Sequence, residues 1–154
     1  MKIGITTFGA DGGKSGIGVY VRKTLRALAK LQQEGEASDV PFEIIAHEGE
    51  ADYFTPVADW SVLRFPTALR SALPNLLWHQ VCLPQLCWNR GYDGLFLPAA
   101  NRRLPFCCPC PTVGTVHDFS LLHIKNKYDA AHDFYVRRVL PMLARRLTQV
   151  ITVI

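Results

Sequence analysis

The residues able to do chemistry fall in three short stretches. The first is Phe8-Gly9-Ala10-Asp11-Gly12-Gly13-Lys14-Ser15-Gly16-Ile17-Gly18-Val19-Tyr20, a glycine-rich turn directly after an apolar opening segment. Glycines there let backbone approach a ligand, and a helix starting after them offers free N–H groups to an anion. The second is the loop Ala99-Ala100-Asn101-Arg102-Arg103. The third is Val113-Gly114-Thr115-Val116-His117-Asp118, a buried strand running into a polar pair. His117 could hydrogen-bond a sugar hydroxyl or steady a developing charge. Asp118 could orient it or hold an acceptor hydroxyl. Against this stands a plain turn, with Asp118 bonded to its own backbone and His117 merely ending the strand. The glycine turn has a bland alternative too, a flexible connection without ligand.

Two phosphate motifs nearly fit the first stretch. A Walker A loop needs glycine, four residues, then Gly-Lys-Ser. Gly13-Lys14-Ser15 is present, but the upstream position is Phe8 and Gly9 comes one residue late. Gly16 and Gly18 follow, so the helix is expected to begin later than a P-loop requires. The dinucleotide pattern fails as well, because Gly16 and Gly18 are followed by Val21 rather than a third glycine. Nucleotide triphosphatase and dehydrogenase readings are therefore disfavoured.

The elements that must position these residues alternate. Strands are expected over Lys2–Thr7, Phe42–His47, Trp60–Phe65, Tyr92–Leu97, Thr112–Val116 and Val150–Ile154. Helices are expected over Gly18–Gln33, with Val21 and Leu25 inward, and over Asn75–Trp88, with Asn75 as N-cap. Pro84 should kink or split the latter. A third helix is expected over Ala130–Leu147, interrupted by Pro141. Near-continuous apolar strands separated by helices indicate an α/β fold, a parallel sheet with helices on both faces. Ligands in such sheets gather beyond the carboxyl ends of the strands, where all three stretches fall.

The bulk numbers narrow the classes. With 154 residues, 49% of them hydrophobic, the chain has the material for one well-cored domain. A formal charge of +4 is modest for a nucleic-acid binder. Five cysteines and no export-type leader point to reduced thiols and a cytoplasmic setting. No apolar run reaches the ~20 residues of a membrane span. Cys107-Cys108-Pro109-Cys110 has three thiols but no histidine at ligand spacing, so no metal site is expected. Cys82 and Cys87 are read as helix packing, and Trp78 and Trp88 as core. Arg102 and Arg103 are read as a solvated loop, and His79, His123 and His132 are given no role.

Several segments appear in a telling order. They are Ser15-Gly16-Ile17-Gly18-Val19-Tyr20, Leu77-Trp78-His79-Gln80-Val81-Cys82-Leu83-Pro84, Phe96-Leu97-Pro98-Ala99-Ala100-Asn101 and Val116-His117-Asp118-Phe119-Ser120. Val139-Leu140-Pro141 and Val150-Ile151-Thr152-Val153 follow. The set resembles the N-terminal domain of the retaining group-1 (family four) glycosyltransferases. That resemblance implies the N-terminal half of a GT-B fold, two Rossmann-like domains facing across a cleft. Residues 1–154 would be the acceptor-side domain, with the C-terminal nucleotide-sugar-binding domain absent from this chain. The resemblance implies Gly16, Ile17 and Gly18 near the donor diphosphate and acceptor, Asn101 and Asp118 as substrate contacts, and His117 as the catalytic residue near the transferred sugar. It implies a nucleotide sugar as donor, a glycan or lipid-linked acceptor, no cofactor or obligatory metal, and no nucleic acid. Peripheral contact with the inner membrane face is compatible with it. This fragment alone is then expected to be inactive. The competing expectation is a stand-alone, non-catalytic α/β binding domain acting with a separate partner chain.

Overall fold

A computed structural model describes residues 1–56, 59–117 and 133–153, the side chain of Arg102 excepted. The strands are β1 (Ile3–Thr6), β2 (Phe42–His47), β3 (Ser61–Phe65), β4 (Gly94–Leu97), β5 (Thr112–Val116) and β6 (Gln149–Thr152). They form a six-stranded sheet in the order β3-β2-β1-β4-β5-β6. Every pairing is parallel, with Ile5 opposite both Ile44 of β2 and Phe96 of β4. The fold is therefore α/β and Rossmann-like, as the strand and helix alternation requires.

Alternate side chains of the strands feed two separate cores. On one face Ile5, Ile44 and Ala46 pack with Val21, Leu25 and Ala29 of α1 (Gly16–Gln33). On the other, Ile45, Leu95 and Leu97 pack with Trp78, Leu83, Cys87, Leu140 and Leu143. These come from α3 (Ala72–Leu77), α4 (Leu83–Arg90), α5 (Leu140–Ala144) and the turns joined to them. A four-residue helix, α2 (Ala51–Phe54), follows β2. Burying both faces is what allows strands without polar alternation.

Two sequence expectations fail here for local reasons, and a third holds in an unexpected form. Both prolines interrupt a regular α-helix, as the sequence predicts, each through a π turn. A π turn, Trp78–Cys82, lies just before Pro84, and another, Tyr135–Val139, just before Pro141. Leu83 N–H bonds the Trp78 carbonyl and Leu140 N–H bonds the Tyr135 carbonyl, each five residues back. The wider turn relieves the crowding between a proline ring and the carbonyl four residues earlier. Asn75 is not an N-cap: it lies inside α3, buried, and its Nδ2 donates to the Leu69 carbonyl at 2.9 Å. Trp78 is core, but Trp88 is 73% exposed, because its position on α4 turns away from the sheet.

The amino-edge half of the sheet is held by a buried carboxylate. Glu43 of β2 is 1% exposed and accepts from Arg90 Nε (2.9 Å), from the Tyr92 hydroxyl (2.5 Å) and from Ser61 Oγ (3.0 Å). Burial alone would raise its pKa, but those hydrogen bonds and the nearby Lys2 ammonium bring it down to about 2. Gly4 makes this possible, since a Cβ there would lie 2.6 Å from the Tyr92 ring.

Candidate functional site

The glycine turn is shaped by backbone that few residues tolerate. Gly9, Asp11, Gly12 and Gly13 all have positive φ, at 96°, 49°, 60° and 81°. α1 opens at once afterwards: Ser15 is its N-cap, and the Ser15 hydroxyl accepts from Gly18 N–H at 3.2 Å. The helix thus begins at Gly16, earlier than the sequence reading placed it, because the serine cap outweighs the poor helix propensity of two glycines. One argument against a P-loop falls with this. The other stands: Phe8, where that motif needs glycine, is fully buried in the core.

The two helix glycines have different surroundings. A Cβ on Gly18 would meet the Ala10 carbonyl oxygen at 2.2 Å and Gly13 Cα at 2.5 Å. Gly18 therefore accounts for the close packing of the loop on its own helix. Gly16 has nothing within 4 Å of a built Cβ. With Gly18 N–H capped, the N–H groups of Gly16 and Ile17 remain as the helix's free donors among the described residues. Both stand at the positive end of an 18-residue helix.

One helical turn after Gly16, Tyr20 meets the end of β5. Its ring stands edge-on to His117, with centroids 4.6 Å apart, and its hydroxyl lies 3.3 Å from Thr115 Oγ1. The His117 backbone N–H donates to Asn101 Oδ1 at 2.9 Å, and its Nε2 lies 2.6 Å from the Pro98 carbonyl oxygen. A carbonyl only accepts, so Nε2 carries the proton, and in the neutral ring Nδ1 keeps the lone pair. His117 is half-buried. The structure thus brings together α1, the Asn101 loop and His117 at the carboxyl edge of β1, β4 and β5. Asp118, His123 and His132 lie outside the described residues, as does the start of the expected third helix.

A second cluster at the same edge was not anticipated. A cavity of about 250 Å³ opens over β1 and β2, lined by Gly9, Lys14, His47, Glu50, Arg70 and Arg103 among others. Arg103 is half-buried, its guanidinium 2.6 Å from where a Gly9 Cβ would sit, so the reading of it as a solvated side chain is corrected. Glu50 is buried and accepts from Arg70. Burial raises the Glu50 pKa and Arg70 only partly offsets it.

His47 ends β2, 3% exposed, with its ring stacked on Phe8 at 4.0 Å. Burial and then the Arg70 charge lower its pKa to about 4. His79 packs edge-on to the same Phe8, and its Nδ1 lies 2.7 Å from the Asn75 carbonyl oxygen. Its pKa is also lowered to about 4, chiefly by burial. The His47 Nδ1 and His79 Nε2 atoms are buried without a hydrogen-bond partner among the described residues. The available sequence signal was His47 itself, a polar residue closing an apolar strand at the edge where ligands gather. The chain matches no family model, no curated protein and no solved structure.

Proposed function

We propose that this chain is the N-terminal, acceptor-side domain of a retaining glycosyltransferase, moving a sugar from a nucleotide sugar to a glycan or lipid-linked acceptor. The observation that carries the reading is the meeting of three strand-end segments. Tyr20 of α1 touches His117, Asn101 binds the His117 backbone, and the free Gly16 and Ile17 N–H groups open the same helix one turn away. In this reading those two donors face the anionic part of the donor. The His117 ring, fixed by its Nε2–H bond to the Pro98 carbonyl, presents Nδ1 toward the reacting sugar. Tyr20 and Asn101 are positioning residues: they set the ring's tilt and the height of its backbone. Charge on the departing diphosphate needs donors from the opposite wall of the cleft, which a second domain would supply in a cytoplasmic enzyme working at or near the inner membrane face.

The test is a transfer assay on protein that carries both domains, across a panel of nucleotide sugars, with the product's anomeric configuration read by NMR. Transfer with retention supports the reading, and residues 1–154 alone should show none. Inversion, or no transfer from any donor by the intact protein, overturns it. Tight ligand binding by residues 1–154 without transfer would instead favour a stand-alone binding domain.

A further inference from the structure

On the opposite edge of the sheet the fold assembles a group of thiols that the sequence keeps apart. Cys87 lies on α4, and Cys108 and Cys110 lie on the stretch leading into β5. The Cys108 sulfur is 3.7 Å from that of Cys87 and 3.9 Å from that of Cys110. All three sulfurs lie within 4.8 Å of one another. The expectation of no metal site weighed only the thiols of residues 107–110, where proline blocks a compact ligand set. Folding supplies the ligand that this run lacks, from 21 residues upstream of Cys108.

The spacing has a chemical meaning. A disulfide would need sulfurs ~2 Å apart, so these are separate thiols. Four thiolates around zinc at ~2.3 Å have tetrahedral edges of about 3.8 Å. The Cys108 distances to Cys87 and Cys110 bracket that edge. The surroundings fit as well. Cys87 is 1% exposed and packs in the core, which fixes its rotamer, while Cys108 and Cys110 are half-buried against the same core. A cavity of about 340 Å³ reaches Cys108 and Cys110 from the solvent side, with Cys107 and Thr148 also on its wall. That gives a metal ion a way in to two of the three thiols.

We propose that Cys87, Cys108 and Cys110 form a three-thiolate site for a thiophilic metal ion, zinc by spacing. The ion ties α4 to the connection entering β5. On binding, the thiols release their protons to the buffer and the sulfurs become the ligands. No change of oxidation state is involved. The site lies at the amino edge of β5, away from the carboxyl-edge residues above, and does not depend on the glycosyltransferase reading.

The test uses the full chain, reduced and stripped of metal, titrated with zinc chloride against a chromophoric chelator and separately with cobalt(II). One zinc per chain is expected, together with the sulfur-to-cobalt charge-transfer band of a thiolate-rich tetrahedral ion. Cys108→Ser and Cys110→Ser should each weaken zinc binding by at least ~100-fold, at or beyond the top of the range for losing an outer-shell partner. Cys82→Ser, exposed and outside the group, should leave it unchanged. Zinc should raise the melting temperature of the native chain and not that of Cys108→Ser. If a serine variant fails to fold, the cobalt spectrum of the native chain still decides. No uptake by the reduced chain, undiminished uptake by Cys108→Ser, or a cobalt spectrum without sulfur ligation would overturn the proposal. So would a group that takes no metal when reduced but joins Cys87 to Cys108 in air.

Discussion

His47 and His117 hold matching places in the fold and have different fates. His47 is the last residue of β2, and His117 is the residue directly after β5, both at the carboxyl edge of one parallel sheet. The His117 ring is tied to the Pro98 carbonyl, whereas the buried Nδ1 of His47 has no hydrogen-bond partner among the described residues. Each also meets an aromatic ring, Phe8 stacked on His47 and Tyr20 edge-on to His117. Burial separates them. His47 is 3% exposed and is held neutral through most of the physiological range, whereas His117 keeps an open side. A histidine at a strand's carboxyl end is thus no signal of chemistry by itself. What counts is what covers it: Phe8 of the glycine turn covers His47, and among the described residues α1 flanks His117 without burying it.

The largest expected effect is on activity and breaks the comparison most directly. On the proposed glycosyltransferase reading, His117→Ala in protein carrying both domains should lower kcat by roughly 10²–10³, the scale of losing one preorganised polar group at a reacting centre. The thermal melt should move little, since the lost Nε2–H bond to Pro98 is worth about 1 kcal/mol. Steady-state kinetics with matched melts check this. Full turnover in His117→Ala removes it from the reaction.

The matching change at His47 should act on stability. His47→Ala empties a buried, stacked position and should cost about 2–4 kcal/mol, as large-to-small core changes do. His47→Phe restores volume beside Phe8, so it should cost less, under about 1.5 kcal/mol, as volume-conserving core swaps do. Urea unfolding of the two variants gives the order. Equal, negligible losses would show that the ring is not packed as described.

The parallel sheet and its two covered faces were legible because they follow from pattern. Apolar strands bounded by turns, with Val21 and Leu25 at helical spacing, leave few arrangements other than a covered parallel sheet. The two-histidine cluster on Phe8 was not legible, because it joins the turn after β1, the end of β2 and the π turn between α3 and α4, which only packing brings together. The same holds for the thiols of Cys87, Cys108 and Cys110. Interruptions at Pro84 and Pro141 were legible but their form was not, because proline propensity speaks to a regular helix and says nothing of a turn widened by one residue. Gly16 and Gly18 looked equivalent in sequence, and Gly18 proved to be filled space.

Titration sharpens the comparison further. His47 and His79 bind protons less readily in the folded chain, at about 4 against an ordinary 6.5. The unfolded chain therefore takes up protons first as pH falls, and stability is full above 6.5 and declines toward 4. Each ring can contribute at most about 3 kcal/mol to this loss, and water entering the cluster will reduce it. His47→Phe should flatten the slope of unfolding free energy over this window, whereas His117→Ala should leave the His47 and His79 contribution in place. Below 4.5 the decline should continue as Glu43, held near 2, is protonated more readily in the unfolded chain. Chemical denaturation at closely spaced pH values would show the two windows. A flat profile between 6.5 and 4 would mean that neither ring is kept from protonation by its burial.

The smallest effect divides the two glycines of α1 as burial divides the two histidines. Gly18→Ala would drive a methyl group to 2.2 Å from the Ala10 carbonyl oxygen, and that contact is backbone, which cannot swing aside. The loop would have to lift off the helix, at a cost of about 1–3 kcal/mol, as overpacked sites show. Gly16→Ala meets nothing within 4 Å and lies in helical backbone. Alanine loses less backbone freedom there, so stability should stay level or rise by a few tenths of a kcal/mol, less than the ~1 kcal/mol seen in helix interiors because the position is terminal. If the open space over Gly16 receives the anionic part of a nucleotide sugar, the same methyl group should raise the donor KM while the melt is unchanged. A Gly16→Ala protein with an unaltered donor KM would show that the free end of α1 faces solvent and nothing else. One that melts well below the native chain would show that the space is filled.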